Sequence, residues 1–114
     1  MNHISMEAFM DERVLELKAE ILKALAQPTR LKILELIRNG EKCICEIVPA
    51  LNGEQSNISR HISLMQKSNL VTARKDGVRV MVKVKDPKVY DILDKVSAIL
   101  KTQVSEQNKL MRSI

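Results

Sequence analysis

Residues 52–67 read NGEQSNISRHISLMQK, and the amphipathic pattern of this stretch decides the fold. At 100° per residue, Ile58, Ile62 and Met65 fall on one side of a helix. The opposite side carries hydroxyl groups and cations, and no carboxylate follows Glu54. Because such chemistry suits phosphates and base edges, we expect this side to face nucleic acid, through Ser56, Ser59, Arg60, Ser63 and Lys67.

The predicted reading helix covers residues 52–68. Asn52 and Gln55 are three residues apart, which is the spacing of a capping box at a helix start. A polar face alone also occurs on ordinary surface helices, so the interpretation depends on the neighbouring elements.

Helices are also predicted upstream. Apolar side chains recur at spacings of three and four residues from about residue 6 to residue 26. Pro28 ends this pattern and suits the first position of a second helix, TRLKILELIRNG, which Asn39 and Gly40 would stop. Residues 41–51, EKCICEIVPAL, contain both cysteines of the chain and predict a third helix of about two turns.

Downstream, residues 70–84 read LVTARKDGVRVMVKV and predict a β-hairpin that turns at Asp76 and Gly77. Valines alternate with polar or long side chains in its second strand, so one face packs and the other is largely basic. Arg74, Lys75 and Arg79 gather at the tip. A basic tip also serves solubility, but beside a reading helix we expect contact with phosphates or the minor groove.

The order of helix, helix, reading helix and hairpin is that of a winged helix-turn-helix, a mainly α-helical fold with a small β-hairpin. We predict one domain over residues 1–114, with a recognition helix at 52–68 and a wing at 70–84. Asp86 and Pro87 open a last helix with an apolar stripe of more than five turns. The terminal helices, 1–26 and 86–114, therefore carry surplus apolar surface, which predicts a two-fold dimer with its reading helices ~34 Å apart.

Composition limits the classes of partner. The chain has 114 residues, a formal charge of +5 and a pI near 9.4, which favours polyanionic partners. No stretch approaches the ~20 apolar residues of a membrane span, and the acidic start does not resemble a signal peptide, so we expect a cytoplasmic protein without a membrane partner. An enzyme is not expected, because no Gly-rich phosphate loop, Cys-x-x-Cys or acid–base pair beside a nucleophile occurs.

Several blocks together resemble the ArsR/SmtB family of winged-helix repressors: ALAQPTRLKILELI (24–37), CICEIVPAL (43–51), QSNISRHISLM (55–65), NLV (69–71) and RKDGVRV (74–80). The resemblance implies a homodimer that occupies a double-stranded DNA operator and leaves it when a metal, metalloid or oxidant binds. By position, it assigns the reading role to Gln55, Ser56, Asn57, Ser59, Arg60 and His61. Arg60 is the strongest candidate for a bidentate contact to guanine or phosphate.

The chain departs from this family at one metal site. Many members hold zinc between the last helices of two subunits, whereas the only histidines here are His3 and His61. We therefore expect no such zinc site. His61 has no second histidine or cysteine within a turn, so we expect it to bond a phosphate or neighbouring backbone and not a metal.

Cys43 and Cys45 resemble the family's thiolate site in the third helix, where the arsenic-sensing branch carries a Cys-Val-Cys and often a third cysteine. Here Val48 occupies that third position. Paired thiolates suit As(III), Sb(III) or Cd(II) as an effector, without an obligatory cofactor, while tetrahedral zinc would need two further ligands. His3 or Glu46 would add a third ligand only if its side chain moved toward the two thiolates.

Spacing suggests how such a site would act. On an intact helix, positions i and i+2 point about 200° apart, so one ion or a disulfide would join the two thiols only after the helix unwinds. Pro49 cannot donate a hydrogen bond to the carbonyl of Cys45 and weakens the helix there. The hypothesis is that bridging the thiols unwinds this helix and misplaces the reading face.

Alternatives stay open at this point. A disulfide switch needs no third ligand, so a redox-sensing repressor competes with a metalloid sensor. The cysteines also fit a purely structural role as small buried side chains. An effector-independent winged-helix module that binds DNA or protein is the remaining class, and it predicts no effect of cysteine substitution.

Overall fold

The computed structural model of the chain describes residues 11–114, so the predictions for His3 and the rest of residues 1–10 lie outside the described residues. Its elements, in chain order, are α1 (Glu12–Leu25), α2 (Pro28–Leu36), β1 (Lys42–Cys43), α3 (Ile44–Ala50), α4 (Gln55–Lys67), β2 (Val71–Asp76), β3 (Arg79–Val84) and α5 (Lys88–Arg112). This order confirms the predicted class, a mainly helical winged helix-turn-helix in which α4 is the second helix of the motif and the β2–β3 hairpin is the wing.

The sheet has one strand more than predicted. Its order is β1-β3-β2, and both pairings are antiparallel. Lys42 pairs with Val82 and Cys43 with Met81, so the start of the segment predicted as a helix is extended chain at the edge of the wing. The hairpin itself was predicted, although its two-residue loop is Gly77–Val78 because Asp76 pairs with Arg79. Met81, predicted on the basic face, is buried.

The core is aliphatic, as the near absence of aromatic residues predicts. Side chains from α2, α3, α4 and β3 meet there, with the tight packing that excludes solvent from their surfaces. The predicted apolar side of α4 is confirmed, because Ile58, Ile62 and Met65 all lie in this core. The residues with at most 2% of their surface exposed include Ile33, Leu34, Ile37, Ile47, Ile58, Ile62, Met65 and Val82.

Side chains cap the first two helices. The Asp11 carboxylate accepts hydrogen bonds from the backbone N–H groups of Arg13 and Val14, and so begins α1. Gln27 begins α2, because its Oε1 accepts from the N–H of Arg30 at 2.9 Å while Pro28 occupies the first helical position. The predicted role of Pro28 is thereby confirmed.

The predicted capping box at Asn52 is wrong. Asn52 has a φ of +50° and ends α3, where its N–H donates to Pro49 and the N–H of Gly53 donates to Val48. These two hydrogen bonds form a Schellman motif, in which asparagine tolerates the left-handed conformation. Helix α4 begins at Gln55 after Glu54, which makes no side-chain capping bond.

Tyr90 fastens the start of α5 to α2. Its hydroxyl donates to the carbonyl oxygen of Leu34 at 2.6 Å, in the last turn of α2, where helix carbonyls lose their usual partners. The Arg38 guanidinium lies 4.5 Å from the centre of the Tyr90 ring and pairs with Glu35 and Asp94. Asp86 Oδ1 accepts from the N–H of Lys88 at 2.9 Å, but Pro87, predicted in the first turn, is the cap residue and α5 begins one residue later than predicted, at Lys88.

Helices α1 and α5 extend beyond the body formed by the other elements. The radius of gyration is 18.2 Å, whereas a compact chain of this length has about 13 Å. Both helices expose large apolar side chains, and Leu22 and Leu100 keep 56% and 57% of their surface exposed. Across residues 11–114, no helix combines the length and the apolar character that crossing a membrane requires.

Candidate nucleic-acid interface and cysteine pair

The exposed side of α4 carries most of the predicted reading residues. The buried side of the helix packs into the core through Ile58, Ile62 and Met65, so the polar side chains point away from the core. Arg60 Nη2 donates to Asn57 Oδ1 at 2.9 Å, which steadies the guanidinium on the surface. Ser59 is half-buried, while the exposed members of the set are Gln55, Ser56, Asn57, Arg60, Ser63 and Lys67.

His61 is a correction to the predicted reading set. It is 6% exposed and lies with the packing residues, because its position on the helix turns it toward α2. Its Nδ1 accepts a hydrogen bond from Arg30 Nε at 3.2 Å. Burial lowers the pKa of His61, and the nearby charges of Arg30 and Arg60 lower it further. The Nδ1 atom of His61 is thus already occupied by Arg30, and the buried ring is not part of the exposed side of α4.

The wing exposes its predicted cations, but two of them are already paired. Arg74 forms an ion pair with Glu41, which raises the pKa of Arg74. Arg79 Nη2 lies 3.3 Å from Glu46 Oε1. Lys75 is exposed between them in sequence, near the tip.

The turn at the tip follows from one glycine. Gly77 has a φ of +64° at the first position of the two-residue loop, as a type II′ turn requires. Val78, at the second position, is fully exposed.

The two cysteines do not share a helix, which corrects the predicted geometry. Cys43 ends β1 in extended backbone, with φ −71° and ψ 144°, and is buried, whereas Cys45 is exposed in the first turn of α3. Their Cα atoms are 5.0 Å apart and their sulfurs are joined as a disulfide. Because the helix begins between them, at Ile44, the sulfurs meet without unwinding it.

Cys43 is also the cap of α3. Its Sγ accepts from the N–H of Cys45 at 3.0 Å, and its own N–H donates to Glu46 Oε1 at 3.0 Å. These reciprocal bonds form a capping box, with cysteine in the place usually taken by serine or threonine. The same Glu46 oxygen contacts Arg79, so one carboxylate joins the cysteine backbone to the wing.

A cleft of about 480 Å³ connects the cysteines to the candidate DNA-facing elements. Cys43 and Cys45 line one side, Gln55 and Ser59 of α4 another, and Arg79 of the wing a third. Within residues 11–114, no three side chains of the histidine, cysteine, aspartate and glutamate types come together as a metal site. Cys43 and Cys45 are therefore the only soft ligand types at this cleft among the described residues, and they would be available as thiolates only in the reduced state.

The sequence analysis did not predict three residues that contact the candidate site residues. They are Arg30, which contacts His61, Glu41, which contacts Arg74, and Glu46, which contacts Cys43 and Arg79. Glu46 lies three residues after Cys43, and this capping-box spacing was a usable signal. Arg30 and Glu41 gave none, because their partners are 31 and 33 residues away along the chain.

Comparison with known proteins adds three findings. Residues 27–73 match the model of a family described as bacterial regulatory protein, arsR family. An uncharacterized helix-turn-helix transcriptional regulator of Methanocaldococcus jannaschii is 39% identical over 85 residues, which are 74% of this chain and 96% of that protein. The arsenical resistance operon repressor of Escherichia coli is 42% identical over 62 residues, 54% of this chain and 53% of that repressor.

Solved structures share the fold. The homodimeric winged helix-turn-helix DNA-binding domain of a possible ArsR-family regulator from Mycobacterium bovis has a TM-score of 0.73 and 26% sequence identity. The match covers 82% of this chain and 87% of that one.

Proposed function

Because the chain belongs to the arsR family of bacterial regulatory proteins and is a DNA-binding transcriptional regulator, we propose that it is a repressor controlled by bridging of Cys43 and Cys45. The observation that carries this proposal is the meeting of the two sulfurs at a cleft shared with α4 and the wing. In the unbridged state the protein holds its operator, and in the bridged state it releases it.

DNA contact is assigned to α4 and the wing. In a winged helix-turn-helix the second helix enters the major groove and presents side chains to base edges. Arg60 is the main reader of bases, and cations on the wing contact phosphates or the minor groove. The proposed contacts are Gln55, Ser56, Asn57, Ser59, Arg60, Ser63, Lys67, Arg74, Lys75 and Arg79.

The proposed unit on DNA is a homodimer joined through α1 and α5. The exposed apolar side chains of both helices support it, as does the homodimeric relative from M. bovis. Two-fold symmetry would place two copies of α4 ~34 Å apart, so the operator should be a palindrome.

The leading effector is a thiophilic metalloid or metal, namely As(III), Sb(III) or Cd(II). Soft thiolates select such ions, and a relative with 42% identity is named for arsenical resistance. Cys43 and Cys45 would supply two sulfur ligands, and a third would come from solvent, since Glu46 is engaged by Arg79 and the backbone of Cys43.

Coupling to DNA passes through the cysteine segment, residues 41–46. We infer that the bridge fixes this segment so that Glu41 holds Arg74 and Glu46 holds Arg79, which withdraws both wing arginines from phosphates. Each pair is exposed and screened by solvent, so the release of one pair has only a small effect on the affinity for DNA. Together, the two pairs predict that bridging the cysteines changes operator affinity about tenfold, which is within the range usual for allosteric coupling.

A second candidate effector is an oxidant, and the joined sulfurs favour it. Oxidation would remove two protons and two electrons from the thiols and pass the electrons to a peroxide or a low-molecular-weight disulfide. It would produce the same bridge without a third ligand.

The test is a titration of a labelled duplex, taken from upstream of the protein's own gene, followed by fluorescence anisotropy. Reduced protein should bind tightly, and arsenite, antimonite or cadmium should weaken binding about tenfold. If diamide weakens binding and the three ions do not, the effector is an oxidant. Cys45→Ser is the matched control, because it removes the exposed thiol and keeps the Cys43 cap. If no agent changes the affinity of the wild type, the proposal fails and an effector-independent module remains.

A further inference from the structure

We propose that Arg30 and His61 are a positioning pair that sets the orientation of α4 for DNA and that works only while His61 is neutral. The pair lies where α4 packs against α2, beside Arg60 and away from most of the other candidate reading residues. The proposal rests on α4 being the helix that reads DNA, but it does not depend on the cysteines.

Arg30 joins three helices through one guanidinium. It belongs to the first turn of α2, where Gln27 caps its backbone N–H. Its Nη1 donates to the carbonyl oxygen of Ala24 in the last turn of α1, at 3.3 Å, and its Nε donates to His61 Nδ1 in α4, at 3.2 Å. The carbonyl is one of those that a helix end leaves without an intrahelical partner. The reading helix is thus linked to α1, the helix that also carries exposed apolar surface.

His61 is an unusual choice for its position. Within residues 11–114 it is the one polar or charged side chain in the buried set, and its neighbours Ile58, Ile62 and Met65 are apolar. An apolar side chain would fill the same space without the cost of burying an imidazole. The directional bond from Arg30 is the feature of His61 that an apolar residue would not reproduce.

The bond requires one protonation state. Nδ1 accepts a hydrogen bond only in neutral imidazole with its proton on Nε2. A second proton would place an N–H at Nδ1, directly against the N–H of Arg30, and would bring two cations together. Protonation therefore breaks the link between α4 and α2.

The charges around the pair are mostly positive. Arg30 faces His61 from α2, and Arg60 lies beside it on α4. Glu20 and Lys23 of α1 line a neighbouring cleft with Arg30 and Lys67. Burial and the two arginines lower the pKa of His61, which keeps the ring neutral at neutral pH.

The first experiment compares His61→Asn with the wild type, both reduced and free of effector, by anisotropy on operator DNA from about pH 8 to about pH 5. Asparagine keeps an acceptor near the Nδ1 position and does not titrate. Wild-type affinity should fall about tenfold more than that of His61→Asn as the pH decreases, because a hydrogen bond to a charged donor is lost. Parallel pH profiles for the two proteins would overturn the proposal.

The second experiment is a double-mutant cycle at neutral pH. His61→Leu and Arg30→Gln should each weaken operator binding about tenfold, and the double variant should lose little more than either single variant. Lys32→Gln, which removes a cation from the same helix, controls for the lost charge. Circular dichroism and the oligomeric state verify that each variant is folded. Additive losses in folded variants would overturn the proposal.

Discussion

Arg60 combines exposure, charge and a fixed direction. Its guanidinium is steadied by Asn57 on the exposed side of α4, so it can approach a base edge without first being ordered. We predict that Arg60→Ala weakens operator binding by ~1 to 3 kcal/mol and relaxes specificity at one base pair. Lys67→Ala, at the end of the same helix, should weaken operator and random DNA alike. Anisotropy on both duplexes distinguishes the two roles, and equal losses for Arg60→Ala on the two duplexes would contradict its role as a reader.

Tyr90 is one of the residues that attach α5 to α2. Burial raises the pKa of Tyr90 to about 12, and its hydroxyl donates to the carbonyl of Leu34 at 2.6 Å. Tyr90→Phe keeps the ring beneath Arg38 and removes only that hydrogen bond. We predict a loss of about 1 to 2 kcal/mol in the free energy of unfolding, measured in urea. An unchanged midpoint would show that the hydroxyl contributes nothing to the attachment.

The lowered pKa of His61 gives stability a pH dependence. Above the unfolded-state pKa of about 6.5, the ring is neutral in both states and the contribution to stability is complete. As the pH falls toward the folded-state pKa, the unfolded chain binds the proton more readily and this stability is lost.

Urea midpoints for the wild type and His61→Asn should therefore separate as the pH falls from about 7.5 to about 5.5. A constant difference between the two midpoints would contradict the attribution of this pH dependence to His61.

At the residue scale, helical periodicity predicted the buried side of α4 and most of its exposed side. The family resemblance assigned His61 to the reading set, whereas the structure buries it. The Arg30 contact that draws His61 inward joins residues 31 positions apart, and a local pattern contains no information about it. The exposed cations of the wing were predicted, but their carboxylate partners were not.

At the scale of elements, the error lies in residues 41–51. Their apolar spacing fits two turns of helix, yet Lys42 and Cys43 pair with β3. The strand forms because β3 offers a free edge, which is a tertiary effect that overrides local propensity. The consequence is chemical, since the cysteines lie across a strand-to-helix junction and meet without the unwinding that the sequence predicted.

Glu46 tests whether this junction communicates with the wing. Glu46→Gln keeps an oxygen for the N–H of Cys43 and weakens the pair with Arg79. We predict that it reduces the response of operator binding to arsenite about two- to fivefold, the effect of an exposed ion pair. Glu35→Gln makes the same change of charge beside Arg38, away from the cysteines, and should leave the response intact. An unaltered response in Glu46→Gln would remove this carboxylate from the coupling.

At the scale of the whole molecule, the order of elements and the class of fold were predicted, because each element has its own period or turn signal. The extended shape was not, although the surplus of apolar surface was. A radius of gyration of 18.2 Å and exposed leucines on α1 and α5 support the proposed dimer, in which a second copy would cover these helices and bury their apolar surface.

Leu100→Glu tests that dimer. Leu100 lies with Leu22 and Val96 at an apolar groove between α1 and α5, and a carboxylate there opposes burial. We predict monomers by analytical ultracentrifugation and a loss of about a hundredfold or more in operator affinity, because each monomer then binds a half-site alone.

Ser105→Glu adds the same charge on the opposite side of α5 and should remain dimeric. A dimeric Leu100→Glu would place the interface elsewhere.

The central claim is that the cysteine bridge and the operator oppose one another, and thermodynamic linkage makes this claim reciprocal. If arsenite weakens operator binding about tenfold, the operator must weaken arsenite binding by the same factor. The most direct measurement is calorimetric titration of arsenite into the reduced protein, once free and once saturated with operator DNA. The account predicts about tenfold weaker arsenite binding on DNA, and equal arsenite affinities for the free and DNA-bound protein would contradict it.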